Sequence, residues 1–320
     1  MARSGVGSAH AIGVESAYGT PVTTTAAIPF ISEDIQTTVQ QISPDVLWPG
    51  QIVKPDENIR AGAITHLGPI VYPLWDVGLE EIMRIAWGGY SFLTDTHTFS
   101  PDIADESHTH AFGFGGDTGV PRKIYEGGVC TGWTLSMQAG EHATFTPTMA
   151  YQGLQVADAS AVAGSLPGAL LPLNWTDLTV FTVAGQSFDC VRGFEITADN
   201  GYDIERLCLG HTEIKDPRVL AGERKYTGTF TLDFEDLATA TPTVIDDFLS
   251  GNSALATAIT IVNGTSTFSI TGQVRVEGSV PNIAGMGIAS LPVPVTWAAD
   301  VGDDAAALKM TVNNGTATLN

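Results

Sequence analysis

Residues 129–151, VCTGWTLSMQAGEHATFTPTMAY, set the fold class of this chain. Apolar and polar side chains alternate on both sides of Ala139–Gly140–Glu141, as they do in strands that bury one face. Two such runs joined by three residues with a central glycine predict an antiparallel β-hairpin. Because the alternation recurs along much of the chain, we predict an all-β fold, a β-sandwich or a β-barrel.

Other strands are indicated by short alternating runs bounded by turn residues. Residues 27–47 alternate in part, as a half-buried strand does. Asp199–Asn200–Gly201 is a turn sequence that predicts a second hairpin between residues 188–198 and 202–209. The remaining predicted strands are 63–72, 96–100, 109–114, 225–235, 256–262, 266–276, 288–298, 307–312 and 316–319.

Two short helices interrupt the predicted strands. Between residues 73 and 87, apolar side chains fall at helical spacing, and Glu80–Glu81 are expected to face solvent. Gly88–Gly89 ends this helix. A second helix is predicted over residues 241–249, where Thr241–Pro242 has the composition of a helix N-terminus.

The two halves of the chain share one order of parts, a strand, a helix and then several strands. This order predicts two tandem modules, residues 27–155 and residues 181–320, each with one short flanking helix. Residues 1–26 are small and polar and predict an N-terminal arm, and residues 156–180 predict an Ala-, Leu- and Pro-rich connector. One continuous large domain is the alternative.

The charge balance excludes one class of function. The chain has 14 Lys and Arg against 35 Asp and Glu, a net charge of −21. Such a surface repels nucleic acid and argues against a DNA- or RNA-binding module, which needs a basic face.

The sequence also indicates where the protein is made. Residues 1–30 contain no continuous apolar segment of the kind that a secretion signal needs. No run of about 18 apolar residues occurs, so no membrane span is expected. We therefore expect a soluble protein from a reducing cytosol, with Cys130, Cys190 and Cys208 reduced and buried.

One region collects potential metal ligands. It contains three histidines and four carboxylates, which are His97, His108, His110, Asp95, Asp102, Asp105 and Glu106. A His-x-His pair with carboxylates suits zinc or manganese. The spacing is not that of a ligand pair on a helix, however, and we interpret the region as a solvated polar loop.

Other motifs associated with chemistry have simpler interpretations. Gly127–Gly128 and the Gly-rich residues 113–116 are not followed by Lys-Ser/Thr or by a helix, so they predict turns rather than a phosphate-binding loop. Asp246–Asp247 lie on a short amphipathic helix, where we expect them on the solvated face. The sequence thus predicts no catalytic, cofactor-binding or metal-binding residue, and a protein that is not an enzyme.

Five segments resemble, in order, those of tail tube proteins from long-tailed bacteriophages. They are GVESAYGTP at 13–21, HTFSP at 97–101, YEGGV at 125–129 with WTLS at 133–136, FEIT at 194–197 with DNG at 199–201, and GERKYTGTFTLDF at 222–234. Each segment is short, so the resemblance depends on their order. It touches most of residues 13–235, and the last 80 or so residues match by pattern only.

The resemblance implies two packed antiparallel sheets with a flanking helix, in a structural protein of the virion tail that is made in the host cytoplasm. It implies partners that are other copies of the chain and other tail proteins. Rings would stack into the tube for DNA ejection, and an acidic lumen would let DNA pass without specific binding. With two modules per chain, three chains would close a pseudo-sixfold ring, and six chains are the alternative.

Two other classes stay open at this point. One is another β-rich virion component, such as a capsid decoration protein or a tail terminator. The other is a carbohydrate-binding or hydrolytic β-sandwich, which would need aromatic side chains clustered on one exposed face. The six tryptophans are instead scattered along the chain, at positions 48, 75, 87, 133, 175 and 297.

Overall fold

The computed structural model describes residues 8–43, 59–103, 106–113, 122–157, 170–233, 254–277, 290–299 and 307–314. Its strands are β1 Ala9–Glu15, β2 Ala26–Ala27, β3 Ser32–Glu33, β4 Gln36–Ile42, β5 Arg60–Pro73, β6 Gly88–Leu93, β7 Thr96–Pro101, β8 Ser107–Gly113, β9 Arg122–Gln138, β10 Thr144–Tyr151, β11 Gly153–Ala157, β12 Leu178–Val183, β13 Gln186–Ser187, β14 Val191–Asp199, β15 Lys225–Asp233, β16 Leu255–Asn263, β17 Ser266–Val276, β18 Ser290–Trp297 and β19 Leu308–Asn313. Its helices are α1, Glu80–Trp87, and a short 3-10 helix, Trp175–Asp177.

The main sheet is antiparallel, in the order β4-β5-β10-β9-β14-β15-β18. The predicted hairpin of residues 129–151 is confirmed as β9 and β10, with Leu135 opposite Phe145. The first half of the chain supplies four of these strands and the second half supplies three. They join at β9 and β14, where Trp133 lies opposite Ala198.

A second sheet faces the main one, in the order β6-β7-β19-β17-β16-β12. The two sheets are joined along one side, where the end of β17 pairs with β18. Both halves of the chain contribute here too, because β19 pairs with β7 on one side and with β17 on the other. Phe181 of β12 packs edge-on against Phe230 of β15, with ring centroids 5.1 Å apart. The predicted β-sandwich is confirmed.

A third sheet, in the order β2-β1-β8-β9-β11, shares β9 with the main sheet. The first part of β9 pairs with β8 and β11, and the rest pairs with β10 and β14. The change occurs at Gly127–Gly128, where Gly127 has a φ of +65° and a Cβ atom would lie 2.7 Å from Cβ of Gln152. These glycines therefore form a corner in a continuous strand, and the predicted turn is wrong.

The centre of the sandwich is an aromatic core around helix α1. Trp87 at the end of the helix stacks on Trp133 of β9, with centroids 4.0 Å apart, and it also contacts Phe99 of β7 and Phe145 of β10. All four rings are buried. The helix thus contributes its apolar face to the contact between the two sheets.

Helix α1 is shorter than the predicted 73–87 because the chain before it is held in extended contacts, such as the Leu74 amide donating to the Ala143 carbonyl (2.8 Å). Glu80 is buried rather than solvent-facing, because its carboxylate accepts from the Gly78 amide (2.7 Å) and from the Asn314 side chain. The predicted helix at 241–249 and strand at 316–319 lie outside the described residues. Within the described part of the chain, no helix has the length and apolar character to cross a membrane.

The predicted hairpin between 188–198 and 202–209 is wrong. Strand β14 pairs with β15 instead, and residues 201–222 form a long loop that closes where the Ala221 amide donates to the Gly201 carbonyl (2.7 Å). The reason is Asn200, whose side-chain amide donates to the Ala86 and Cys130 carbonyls (3.0 and 2.7 Å). These buried bonds fix the turn to the core, so the chain leaves the sheet instead of folding back along it.

Part of the predicted N-terminal arm belongs to the fold of its own chain. Residues 9–15 form β1, which pairs along its whole length with β8 and is mostly buried. Its small residues suit this position, because a Cβ atom at Gly13 would lie 2.9 Å from the Val22 side chain.

Candidate functional site

Three histidines are buried between the third sheet and the main sheet. His10 Nε2 lies 3.2 Å from His110 Nδ1, and the Tyr72 hydroxyl lies 3.3 Å from His10 Nδ1. Neither ring nitrogen of His108 has a hydrogen-bond partner within the described part of the chain. Four aromatic rings complete this histidine core: Phe30, Phe112, Tyr125 and Tyr151.

The interpretation of this region as a solvated loop is wrong for its three histidines, whereas Asp95 and Asp102 are exposed outside the strands. His108 and His110 lie on β8, which is buried along nearly all its length, and His97 lies on β7, with Nδ1 3.0 Å from the Tyr90 hydroxyl. Asp105 is outside the described residues. Among the residues that are described, no three His, Cys, Asp or Glu side chains come together as a metal site.

Burial keeps the histidine core uncharged. It lowers the pKa of His10 and His108 from the ordinary 6.5 to about 3. It lowers the pKa of His110 well below its ordinary value, and the neighbouring His10 and His108 add to the effect. The imidazoles therefore act as neutral rings, and His10 stacks on Phe112 with centroids 4.4 Å apart.

A buried carboxylate fastens the N-terminal segment beside this core. Glu15 accepts hydrogen bonds from the Ser107 and Thr109 hydroxyls (2.6 and 2.8 Å) and from the amides of Gly19 and Gly127 (3.0 and 2.8 Å). It therefore ties the end of β1 to β8 and to the corner of β9. Bonds to a charged acceptor are the stronger kind, so Glu15 stabilises the junction of three segments.

The residues that follow Glu15 extend the same junction. The Tyr18 ring lies under the Arg218 guanidinium, 5.6 Å from its centroid, and Arg218 is paired with Asp216 at 2.7 Å. Gly19 has a φ of +70° and leaves room for the Gln152 side chain. The first of the five resembling segments is thus a junction between the N-terminus, the β9 corner and the loop 201–222.

The most exposed described strand is β4, at one end of the main sheet. All seven of its residues are exposed, and none carries a charge. On one side it pairs with β5, and no strand within the described residues pairs with its other side. Val39 and Ile42 on β4 and Ile59 and Leu67 beside them are exposed apolar side chains.

Comparison with known families decides what these features belong to. The chain matches the phage tail tube protein family over residues 5–299. The chain belongs to this family. No curated protein matches it.

The family match confirms the resemblance and makes the chain a structural component of the phage tail tube. Membership implies self-assembly, association with other tail proteins and a place in the virion tail, and it suggests a role other than enzymatic. The functional sites of a tail tube protein are the surfaces through which it contacts other copies, so the edges of its sheets are the first candidates.

The free edge of β4 offers unpaired backbone groups. The Asp34 amide donates to the Pro69 carbonyl (3.1 Å), and the β4–β5 register continues that pairing with Gln36 opposite Leu67. Backbone direction alternates along a strand, so Thr37 and Val39 direct their N–H and C=O groups away from β5. In agreement, Ile64 opposite Val39 donates its amide to the Thr212 carbonyl (2.8 Å) and not to β4.

The opposite end of the main sheet, β18, is not a free edge, because Val295–Trp297 pair with β17 of the second sheet. The Pro294 carbonyl accepts from the Glu277 amide (2.9 Å), so Pro294 and, by alternation, Pro292 direct their backbones away from β15. Proline has no N–H, so the part of β18 before Val295 lacks two outward donors. Proline on an edge is a common protection against unwanted strand pairing. The main sheet of the tail tube protein thus has one end that is joined to the second sheet, at β18, and one open edge, at β4.

The cysteine prediction holds for one residue of three. Cys130 is buried in the core, whereas Cys190 is exposed and Cys208 is partly exposed in the loop 201–222. Sequence reasoning also missed the roles of Glu15 and Asn200. The signal for Glu15 was its place in the first resembling segment, but its partners lie about 90 to 110 residues away along the chain.

Proposed function

We propose that this tail tube protein forms rings by pairing the free edge of β4 with an edge strand of the neighbouring copy, and that stacked rings form the conduit for DNA ejection. The observation that carries the proposal is the charge-free, exposed β4, whose outward backbone groups at Thr37 and Val39 have no partner strand among the described residues. Soluble proteins usually protect such an edge with lysine or proline, so an open edge is typical of a pairing surface.

Three chains per ring is our proposal for the symmetry, with residues 27–155 and 181–320 as tandem modules and residues 156–180 as their connector. Both halves of the chain supply strands to both facing sheets, which supports modules that lie side by side. Six chains per ring is the alternative. A cryo-EM top view distinguishes them, because sixfold averaging that sharpens the density would contradict three chains.

The net charge of −21 supports a passive conduit. Carboxylates on the strands that line the channel would repel DNA phosphates, so DNA would pass without specific binding. A channel lined mainly by Lys and Arg in a tube reconstruction would contradict this part of the proposal. The protein would reach the tail by assembly of chains made in the host cytoplasm.

The test compares two substitutions at one residue. Thr37→Pro removes the outward N–H of β4, whereas Thr37→Val keeps it, and both lose the hydrogen bond between the Thr37 hydroxyl and His66 Nδ1 (2.9 Å). We expect Thr37→Val to form rings and tubes in electron micrographs. We expect Thr37→Pro to stay monomeric by size-exclusion chromatography, with an unchanged circular dichroism spectrum.

A Thr37→Pro protein that forms ordinary rings would contradict pairing through β4. If Thr37→Pro lowers the melting temperature, Val39→Lys provides a second test, because it adds an edge charge and leaves every backbone donor in place.

A further inference from the structure

The loop of residues 201–222 follows β14 at one end of the main sheet and is held by bonds within the loop and to β5. The Arg206 guanidinium donates to the Asp216 carbonyl (3.0 Å), the Lys215 amide donates to the Arg206 carbonyl (3.0 Å), and Ile214 is buried. The loop also adds to β5 through the bond from the Ile64 amide to the Thr212 carbonyl. It is therefore a fixed part of the fold at this end of the sheet.

The tip of this loop is apolar. We define the tip as residues 207–209, in which Leu209 is fully exposed and Leu207 is about half exposed. A fully exposed leucine on a well-anchored loop contributes nothing to the stability of its own chain, because burial of apolar surface is what stabilises. Together the two leucines form an apolar contact surface that the chain itself does not cover.

A second apolar surface lies at the other end of the same sheet. We define the platform as Leu171 and Trp175, both about half exposed. The Trp175 amide donates to the Glu141 carbonyl in the β9–β10 turn (3.2 Å), and the Leu171 amide donates to the Asp76 carboxylate (3.0 Å). These bonds hold both platform residues against the β9–β10 turn and the segment around Asp76.

The tip and the platform lie at opposite ends of β14. The chain enters the tip loop after Asp199 at the end of β14, and the β9–β10 turn lies beside its start, where the Ala139 amide donates to the Arg192 carbonyl (2.8 Å). Nine residues separate these ends by about 30 Å. Tip and platform cannot meet within one chain, but they can meet when two copies follow one another along the strand direction. Such a head-to-tail contact repeats without closing, which is the geometry of a filament.

The charges at the two ends favour the same contact. Residues 201–225 contain five of the 14 Lys and Arg and five Asp and Glu, so this end is neutral in a chain of net charge −21. Residues 124–191, which include the platform, contain no Lys or Arg, and Arg192 at the same end is paired with Asp233 at 3.0 Å. Glu141 is exposed beside Trp175, and Lys215 is exposed on the tip loop. Two acidic ends would repel each other, whereas the neutral end with its cations can approach an acidic end.

We propose that the tip of one copy docks on the platform of a second copy in the adjacent ring, so that Leu207 and Leu209 pack against Leu171 and Trp175. The inference rests on the proposed function, because it assigns the contact between rings, whereas the edge of β4 is assigned to the contact within a ring. The two contacts fail in different ways. Loss of the contact between rings leaves rings that do not stack into tubes, whereas loss of the β4 contact within a ring leaves neither rings nor tubes.

The first experiment substitutes the tip. Leu209→Asp places a carboxylate against the acidic platform, and we expect rings of normal size but no tubes in electron micrographs. Leu93→Asp is the matched control, because Leu93 is also strongly exposed but lies at the β6–β7 turn, outside both surfaces. We expect tubes from the control. Tubes of wild-type length from Leu209→Asp would overturn the proposal. Absence of rings would also contradict it, because the tip would then be needed within a ring and not between rings.

The second experiment cross-links the two surfaces with the native Cys208 at the tip. The partner is Thr176→Cys on the exposed turn beside Trp175, in a Cys190→Ser background that removes the other exposed thiol. A short bismaleimide should link tubes into ladders of covalent oligomers on denaturing gels. Addition of Cys208→Ser, or of Leu209→Asp, should abolish the ladder. Assembled tubes that give no ladder would overturn the proposed contact.

Discussion

The two buried regions on either side of Gly127–Gly128 share one strand, β9, but differ in chemistry. Beyond the corner, Trp133 belongs to a core of stacked aromatic rings around Trp87. Before the corner, Tyr125 belongs to the histidine core, where buried imidazoles have few hydrogen-bond partners. Burial of aromatic rings stabilises at any pH, whereas burial of neutral histidines stabilises only where the unfolded chain is also neutral. The first core should therefore provide the pH-independent stability of the fold, and the second should make stability depend on pH.

The largest expected effect tests the aromatic core. Trp87→Ala should reduce the free energy of unfolding by about 4 kcal/mol, because it removes a fully buried indole and leaves a cavity between the two sheets. Chemical denaturation at pH 7 and at pH 5 should give the same loss. Leu93→Ala is the control, since that side chain is about four-fifths exposed, and it should change the free energy of unfolding by less than about 0.5 kcal/mol. If the loss of free energy of unfolding in Trp87→Ala differs between pH 7 and pH 5, the aromatic core is not the pH-independent part of the fold.

The second effect tests the histidine core. The folded-state pKa of His10 and His108 is about 3 against an ordinary 6.5, so the unfolded chain binds more protons between these values. Their contribution to stability is therefore complete above pH 6.5 and is lost as the pH falls towards 3. When the pH falls from 7 to 4, protonation of each of these histidines in the unfolded chain should reduce the free energy of unfolding by about 3 kcal/mol.

The matched variant is His108→Leu. Its free energy of unfolding should fall by about 3 kcal/mol less than that of the wild type between pH 7 and pH 4. His142→Leu is the control, because His142 is exposed, and its unfolding curves should follow those of the wild type. Equal pH dependence in His108→Leu and the wild type would show that the buried imidazoles are not the cause.

The smallest effect tests what fastens the histidine core. Glu15→Gln keeps the shape of the side chain but replaces one acceptor oxygen with a donor that faces other donors. We expect a loss of about 2 kcal/mol in the free energy of unfolding, with amide exchange of β1 accelerated more than that of β10. Glu141→Gln on the exposed β9–β10 turn should change neither quantity. Uniform acceleration across the whole sheet would mean that the third sheet does not open separately.

The sequence predicted most strands and the β9–β10 hairpin because one-sided burial leaves a local alternation of side chains. It failed where partners are distant. The prediction of a loop at His108 and His110 is wrong because β8 is buried along nearly all its length, and polar side chains on such a strand break the alternation. Residues 9–15 were predicted as an arm because their small side chains show no strand pattern of their own. Their strand structure depends on pairing with β8, which is distant in sequence.

The same limit applies to the candidate surfaces. The absence of charge on β4 was visible in the sequence, but its free edge was not, because pairing is a property of the sheet and not of the strand. The turn predicted at Asp199–Asn200–Gly201 is present, but the predicted partner strand is wrong. The buried bonds from Asn200 to Ala86 and Cys130, which direct the chain away from the sheet, could not be predicted from local sequence.

Strand β9 also has a mechanical consequence. It is 17 residues long and is hydrogen-bonded to four other strands, two before its corner and two after it. A pull along β9 loads all four ladders in shear, so their hydrogen bonds resist together. A pull on β4 loads one ladder, because β5 is its single partner strand among the described residues. A single free subunit that is pulled apart should therefore yield first at β4, while the strand that links its sheets keeps its shape.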